Sequence, residues 1–281
     1  MNEDVSVVVV NYNAKKHMLA CIESLCGEEV AMVVVADNGS TDGTADVVRS
    51  YAAQHPRVRL VDASSVAGPA ATRNLGVRYA RGDIFAFCDA DDVVHPGWLN
   101  SWVSALADAD IAGGLMDFWS LNGLPPPSPP EPRLPPAGRQ FGFLEAAGSG
   151  NMAVRRHAFE SVGGFDEDLP VGEDTDLSWR LQLGGYRFAF GKGVLSRREP
   201  SGGYARFRKS IQYGRCGPAL YQRHRDAGLH RDVRGAIRGW LYLLVTTPLL
   251  VDPTFRRRWI FLSGWRLGRL VESCKRLVFF P

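Results

Sequence analysis

The chain has 281 residues, of which 45% are apolar and 22% charged, and a net charge of +3. This is an ordinary globular composition, long enough for one large core or two modest ones. The five cysteines (Cys21, Cys26, Cys88, Cys216 and Cys274) are odd in number and form no CxxC pair, which argues against a disulfide framework or a thiolate metal site and for free thiols in a reducing cytoplasm. Met1-Asn2-Glu3-Asp4 is acidic where a signal peptide is basic, and Val5–Val10 is too short for its apolar segment, so a cytoplasmic protein is expected.

The small net charge hides an asymmetry. Residues 197–281 carry 18 Lys/Arg against 5 Asp/Glu, a net of +13, which leaves the rest of the chain at −10. A basic tail on an acidic body suits an anionic partner, or it is simply a set of solvated helix faces. Nucleic acid is not expected, because no reader motif accompanies the charge.

In chain order, Val5–Val10 is a continuous β-branched run, the pattern of a strand buried on both faces. A helix is predicted over 15–26, a strand over 31–36, a helix over 44–54, a strand over 58–61, a helix over 70–80 and a strand over 84–88. Strands alternating with helices of about ten residues argue for βαβ units and a mostly parallel sheet, whose ligands gather at the carboxyl ends of the strands. Asn11-Tyr12-Asn13, Asp37-Asn38 and Asp89-Ala90-Asp91-Asp92 stand at such ends. Residues 125–136 hold eight prolines, so 123–139 is expected as an extended surface loop. Order resumes at 141–147 and 151–154, followed by a helix over 156–162 and another over 174–183, each closed by paired glycines. From Tyr204 the tail reads as helices. Its 12-residue apolar run, 240–251, is too short to cross a bilayer. Arginines mixed with aromatics after it suit either a helix lying in a membrane interface or one packed on the body. The resulting division is 1–200 as one α/β body, in two parts over 1–115 and 140–200, and 201–281 as a basic helical extension.

A buried strand that ends in three carboxylates is costly, because crowded carboxylates repel and resist desolvation. A hard divalent cation such as Mg2+ or Mn2+ relieves both problems, and its natural second partner is a phosphate.

These motifs together carry a family resemblance. Val5–Asn13, Val33–Thr44 (with Asp37-Asn38-Gly39-Ser40), Arg73-Asn74-Leu75-Gly76, Asp89-Ala90-Asp91-Asp92 and Glu173-Asp174 resemble, in order and spacing, the motifs of the inverting family 2 glycosyltransferases, which have the GT-A fold. The resemblance runs from about residue 5 to 200, and it implies a catalytic domain over 1–200 with a nucleotide-sugar donor half over 1–115 and an acceptor half over 140–200. It implies a sugar moved from a nucleotide-diphosphate donor to an acceptor hydroxyl (of a glycan, a lipid-linked sugar or a small molecule). It also implies a divalent metal at Asp91 with Asp89 nearby, or Asp89 on the ribose. Asn11, Tyr12, Asp37, Arg73 and Ala90 would complete the nucleotide-sugar site, with Asp37 on the base or capping the next helix. Asp174 is the implied general base, with Glu173 beside it able to raise its pKa by repulsion. Asp176 is expected to pair with Arg180 one helical turn on. Relatives often carry a metal-site histidine after the base. This chain has Arg197-Arg198 instead, which suits direct contact with the diphosphate. Two other readings of the same layout stand beside this one. A sugar-phosphate nucleotidyltransferase opens with a glycine-rich loop that Asn11–Lys15 lacks, and a non-catalytic sugar- or lipid-binding scaffold would not need both Asp91 and Asp174.

Overall fold

The computed structural model describes residues 4–126 and 139–281, so most of the loop expected over 123–139 lies outside the described residues. Two compact units are present: Met1–Gly138 with Glu145–Arg198, and Arg139–Leu144 with Glu199–Pro281. The division falls at 198/199, and Arg139–Leu144 groups with the C-terminal residues.

In the first unit, strands β1 (Val5–Asn11), β2 (Met32–Asp37), β3 (Val58–Asp62), β4 (Ile84–Asp89), β5 (Val93–Val94), β6 (Ile111–Asp117), β7 (Asn151–Arg155) and β8 (Phe188–Ser196) form one sheet in the order β3-β2-β1-β4-β7-β6-β8-β5. β1 is parallel to β2 and β4, β2 to β3, and β6 to β8. The sheet is thus mostly parallel, but β7 runs antiparallel between β4 and β6, and β5 antiparallel beside β8. The helices are α1 (Lys15–Cys26), α2 (Thr44–Ala52), α3 (Gly68–Tyr79), α4 (Trp98–Leu106), α5 (Arg156–Ser161) and α6 (Glu173–Leu183).

The valine run explains why both faces of the sheet are covered. Val5, Val7 and Val9 pack with Met18, Ile22 and Leu25 of α1 and Trp98 and Trp102 of α4, whereas Val8 packs with Val77 of α3 and Leu177 of α6. Alternate side chains of one strand therefore feed two cores. β6 and β8 do not read as strands in the sequence because Gly113, Gly114, Gly191 and Gly193 stand where β-branched residues usually do. The reason is the bulk opposite them. A Cβ on Gly114 would lie 2.7 Å from Trp102 and one on Gly193 3.1 Å from Trp98, so the glycines make room for the tryptophans of α4.

The Arg-Asn-x-Gly motif is a docking device as well as a site motif. Asn74 Nδ2 donates to the Phe165 carbonyl at 2.9 Å and its Oδ1 accepts from Phe165 N–H at 3.0 Å. On the same helix Gly76 lies against β1, where a Cβ would stand 2.5 Å from Val8 Cγ1. One carboxylate, Asp42, accepts from Lys15 N–H at 2.9 Å and from Thr44 N–H at 3.0 Å, serving the first turns of both α1 and α2.

The second unit contains α7 (Gly203–His224), α8 (Val233–Thr246) and α9 (Pro253–Arg276). α7 and α9 meet backbone to backbone through glycine. A Cβ on Gly214 would lie 1.9 Å from the Trp265 carbonyl, and one on Gly268 2.0 Å from that of Ile211. Buried Glu272 ties the pair, accepting from Arg215 at 2.8 Å and Arg276 at 2.7 Å. Asp232 caps α8 by accepting from Gly235 N–H at 2.8 Å. Among the described residues no helix is long and apolar enough to cross a membrane.

Gly76→Val is expected to lower stability by roughly 1–3 kcal/mol, because two extra methyls must displace Val8 in a closed core. Thermal unfolding followed by circular dichroism measures it, and an unchanged midpoint would show that α3 does not rest on β1 at this point.

Candidate active site

The strand ends converge as register requires. Asn11 is paired with Asp37 across β1 and β2, and Val10 with Asp89 across β1 and β4. Past β1, Asn13 takes a left-handed backbone conformation (φ 54°), its N–H donating to Ser40 Oγ at 2.8 Å and its Oδ1 accepting from Thr41 N–H at 2.8 Å. Tyr12 projects outward, 65% exposed. Tyr12, Asn13, His17, Asp89, Ala90 and Asp91 line a cleft of about 270 Å3.

Asp37 is buried beneath this rim. It accepts from Asn11 Nδ2 and Ser40 Oγ, and from Ser40 N–H at 3.2 Å, but it does not cap α2, whose first turn is served by Asp42. Arg73 does not line the cleft. Its guanidinium, 4% exposed, forks between Glu173 Oε1 at 2.7 Å and Asp89 Oδ1 at 3.0 Å. The fork links the end of β4 to the start of α6, from an arginine 16 positions before the one carboxylate and a hundred before the other.

Glu173 is the buried partner of that fork, and the repulsion expected within the Glu173-Asp174 pair falls on it. Burial first, then Asp174, push its carboxyl up to about 7 against the pull of Arg73. Asp174, half-buried in the first turn of α6, accepts from Ser149 N–H at 3.0 Å through Oδ2 and from Thr175 N–H at 2.7 Å through Oδ1. Gly172, just before it, sits at φ 85°, so its backbone conformation is what demands glycine there. Gly148-Ser149-Gly150 touches both acidic centres. A Cβ on Gly150 would lie 2.9 Å from Asp89 Oδ2, and one on Gly148 4.0 Å from Asp174 Oδ2. Small residues there thus admit the two carboxylates. Asp176 pairs with Arg180 at 2.6 Å as expected, and that arginine further donates to the carbonyls of Val162 and Gly164, both at 2.7 Å.

The third carboxylate of the cluster plays a different part. Asp92 is 1% exposed, and burial together with Asp89 and Asp91 pushes it up to about 8. It accepts from Arg198 N–H at 2.8 Å, while Arg198 Nε donates to the Asp91 carbonyl at 3.2 Å, so Arg198 is fastened to the acidic turn. Arg197 is held by its own N–H on the Asp117 carbonyl at 2.8 Å.

Three residues here escaped the sequence reading. His17, on α1, faces the cleft with its pKa lowered by burial and by Arg198, against the pull of Asp91. Asp117 and His95 meet at Ser196: Ser196 Oγ donates to Asp117 Oδ2 at 2.8 Å and lies 2.7 Å from His95 Nε2. Burial opposes ionisation of Asp117, yet hydrogen bonds from Ser120, Trp119 and Ser196 hold it below the usual carboxylate range. The available signal for His17 was its place one turn after a strand end, and for Asp117 its place at the end of a strand too glycine-rich to recognise.

A metal held here draws on few protein atoms. Among the described residues no cluster of three or more His, Cys, Asp or Glu side chains converges on one point. Asp89 and Asp91 are hard oxygen donors at the cleft wall, whereas Asp92 is buried and already accepts from Arg198 N–H. Two carboxylates with the remaining positions filled by water and phosphate is the usual arrangement for Mg2+ bound with a nucleotide. The residues therefore fit a cation that arrives with its diphosphate.

The raised carboxyl of Glu173 makes a pH prediction. Its folded pKa exceeds the ordinary 4.5, so the native state binds this proton more tightly, and the stability it adds is complete below about 4.5 and lost as pH rises through about 7. Glu173→Gln is expected to flatten that part of the stability–pH profile, read from thermal midpoints. An identical slope in the variant would assign it to another group.

Residues 6–163 match the family model described as Glycosyl transferase family 2, and residues 141–280 that described as Glycosyl transferase family group 2. The chain is 27% identical over 208 residues to glycosyltransferase AglE of Haloferax volcanii, covering 68% of this chain and 65% of the relative. To the pre-mycofactocin glycosyltransferase of Mycobacterium tuberculosis it is 28% identical over 290 residues, covering 96% of this chain and 55% of the relative. It therefore spans somewhat less than two thirds of the first relative and about half of the second. Among solved structures, it superposes on the mannosyltransferase PcManGT from Pyrobaculum calidifontis, in complex with GDP-Man and Mn2+, with TM-score 0.70 at 18% identity, covering 98% of this chain and 88% of that one. At that identity the likeness speaks for the fold, which is GT-A. With one family model matching more than half its length, on the segment that bears the acidic strand ends, the chain belongs to the family 2 glycosyltransferases.

Proposed function

We propose that this protein moves a sugar from a nucleotide-diphosphate donor to an acceptor hydroxyl with inversion at the anomeric carbon, using Mg2+ or Mn2+ at Asp91 and Asp89. The observation that carries this reading is the Arg73 fork, which brings the cation side, through Asp89, and the base side, through Glu173 and its neighbour Asp174, to one rim of the sheet. The GDP-Man and Mn2+ in the PcManGT complex support the same class of donor and ion.

The chemistry follows from where the groups stand. Tyr12 offers a ring face to a nucleobase at the cleft mouth, and the diphosphate lies toward Asp89 and Asp91. When bound, the cation neutralises charge that builds on the leaving diphosphate. Arg198, fastened beside Asp91, adds a fixed positive charge on the same side. Asp174 takes the proton of the acceptor hydroxyl as its oxygen bonds to the anomeric carbon and the bond to the donor phosphate breaks. Its two main-chain donors, Ser149 and Thr175, orient it while leaving lone pairs for the acceptor. One base and one displacement give inversion. The positive charge of the C-terminal unit supports placing this reaction at the anionic cytoplasmic face of a membrane.

Two substitutions separate the roles. Asp91→Ala is expected to abolish the thermal stabilisation that a nucleoside diphosphate confers only with Mn2+ present, and full Mn2+-dependent stabilisation in the variant would refute the cation assignment. Asp174→Asn is expected to lower kcat by about 10²–10⁴-fold with donor affinity unchanged. Normal turnover in that variant would remove Asp174 from the proton transfer.

A further inference from the structure

Within the second unit, α8, α9 and residues 279–281 enclose a cavity of about 210 Å3. Its walls are mainly apolar, with Ile237, Trp240, Leu270 and Phe279 among them, yet Arg266 and Arg269 also line it. Both arginines are more than nine-tenths buried, at 7% and 8% exposure. Among the described residues, Arg266 Nη2 reaches the Gly235 carbonyl at 3.4 Å, and its Nε and Nη1 have no partner. Arg269 Nη1 donates to the main-chain oxygen of Pro281, and its Nε has no partner among the same residues. No Asp or Glu side chain among them pairs with either arginine. The carboxylate that acts on Arg269 from a distance is Asp232, which is already occupied in capping α8.

Aromatic rings flank both guanidinium groups. The Arg269 guanidinium carbon lies 3.6 Å from the centroid of Trp265 and 5.0 Å from that of Phe280, and that of Arg266 lies 5.6 Å from Trp240. Ring faces attract a cation but do not satisfy its N–H groups, and two like charges buried side by side repel. Burial and Arg266 pull the Arg269 pKa down to about 10, which still leaves it charged at neutral pH. The packing is built around these side chains: a Cβ on Gly239 would lie 1.6 Å from Arg266 Nη2, so α8 keeps glycine where the guanidinium crosses it.

The shape of this site specifies a ligand with two halves. Unpartnered guanidinium N–H groups match a phosphate. Apolar walls match a hydrocarbon chain, and so small a cavity has room for a terminal phosphate but little for a headgroup beyond it. Beyond Ile237, which lines the cavity, α8 presents Leu241, Leu244 and Val245 to solvent, the last two at 72% and 71% exposure, as a lipid-facing surface helix would. We propose that this cavity binds the terminal phosphate monoester of a membrane lipid, Arg266 and Arg269 holding the phosphate and Trp240, Ile237 and Leu270 the first carbons of the chain. The proposal deepens the membrane placement above and does not depend on glycosyl transfer.

The test is partitioning of the full chain onto phosphatidylcholine vesicles carrying either phosphatidic acid or phosphatidylserine at matched surface charge. The native protein is expected to prefer phosphatidic acid by about tenfold, an order suited to one set of charge-assisted hydrogen bonds. Arg266→Gln with Arg269→Gln should bring that ratio to about one. Arg234→Gln with Arg238→Gln, which removes the same charge from exposed positions on α8, should weaken both partitions and keep the ratio. Equal partition of the native protein, or a preference that survives loss of both buried arginines, would overturn the site. Should the buried pair prove necessary for folding, the native protein decides alone. A short-chain phosphatidic acid is expected to raise its thermal midpoint and inorganic phosphate at the same concentration is not. An equal effect from phosphate would make the ligand a free anion and end the lipid assignment. Donor-nucleotide binding is not read in these measurements, so their failure leaves the transfer reading standing.

Discussion

One buried cation organises the catalytic unit. Arg73 accepts the burden of two carboxylates that would otherwise repel across the rim, and it does so from a helix held flat on the sheet by Gly76 and latched by Asn74. Removing such a cation would leave Glu173 and Asp89 uncompensated, which is the costly way to break a buried pair. The three named residues of the Arg-Asn-x-Gly motif thus answer to one requirement, that a positive charge stand at a fixed depth below the site. Because Asp89 belongs both to this fork and to the cleft wall, any cation drawing on it must also alter what Glu173 feels. On the proposed mechanism, donor binding and the environment of the base are therefore energetically linked, and such linkage is reciprocal.

The two units treat buried arginine differently. In the first, Arg73 is paired on two nitrogens by carboxylates, with its Nε left over, and serves as scaffold. In the second, Arg215 and Arg276 are spent on Glu272, whereas Arg266 and Arg269 meet ring faces and main-chain oxygens and no Asp or Glu side chain among the described residues. The proposed lipid phosphate would take up the N–H groups that remain on that pair.

Much of the donor half was legible because its signals are local. The Val5–Val10 run, the turn after Asp37 and the acidic end of β4 each combine a strand pattern with an abrupt change in polarity, and the predicted α1 matches the helix observed over Lys15–Cys26. What stayed hidden depends on bulk supplied from elsewhere. The glycines of β6 and β8 look like breakers until Trp98 and Trp102 are laid against them, and Asp117 goes unseen with them. Arg73 was visible as a motif residue, but its depth was not, since its two partners lie 16 and 100 positions away. The direction of β7 was equally opaque, because Asn151–Arg155 reads the same whichever way it is paired.

That reversed strand decides which backbone polarity reaches the rim. Parallel strands all exit there, and each delivers to the rim the residues C-terminal to it. β7 enters there instead, with Asn151 opposite Cys88, so the residues before it arrive carrying an unspent N–H, the one Ser149 gives to Asp174. Residues 145–150 can accordingly vary without shifting the register of β1 to β4. On the proposed reading, acceptor recognition varies on that entrance, while the donor side stays tied to the exits.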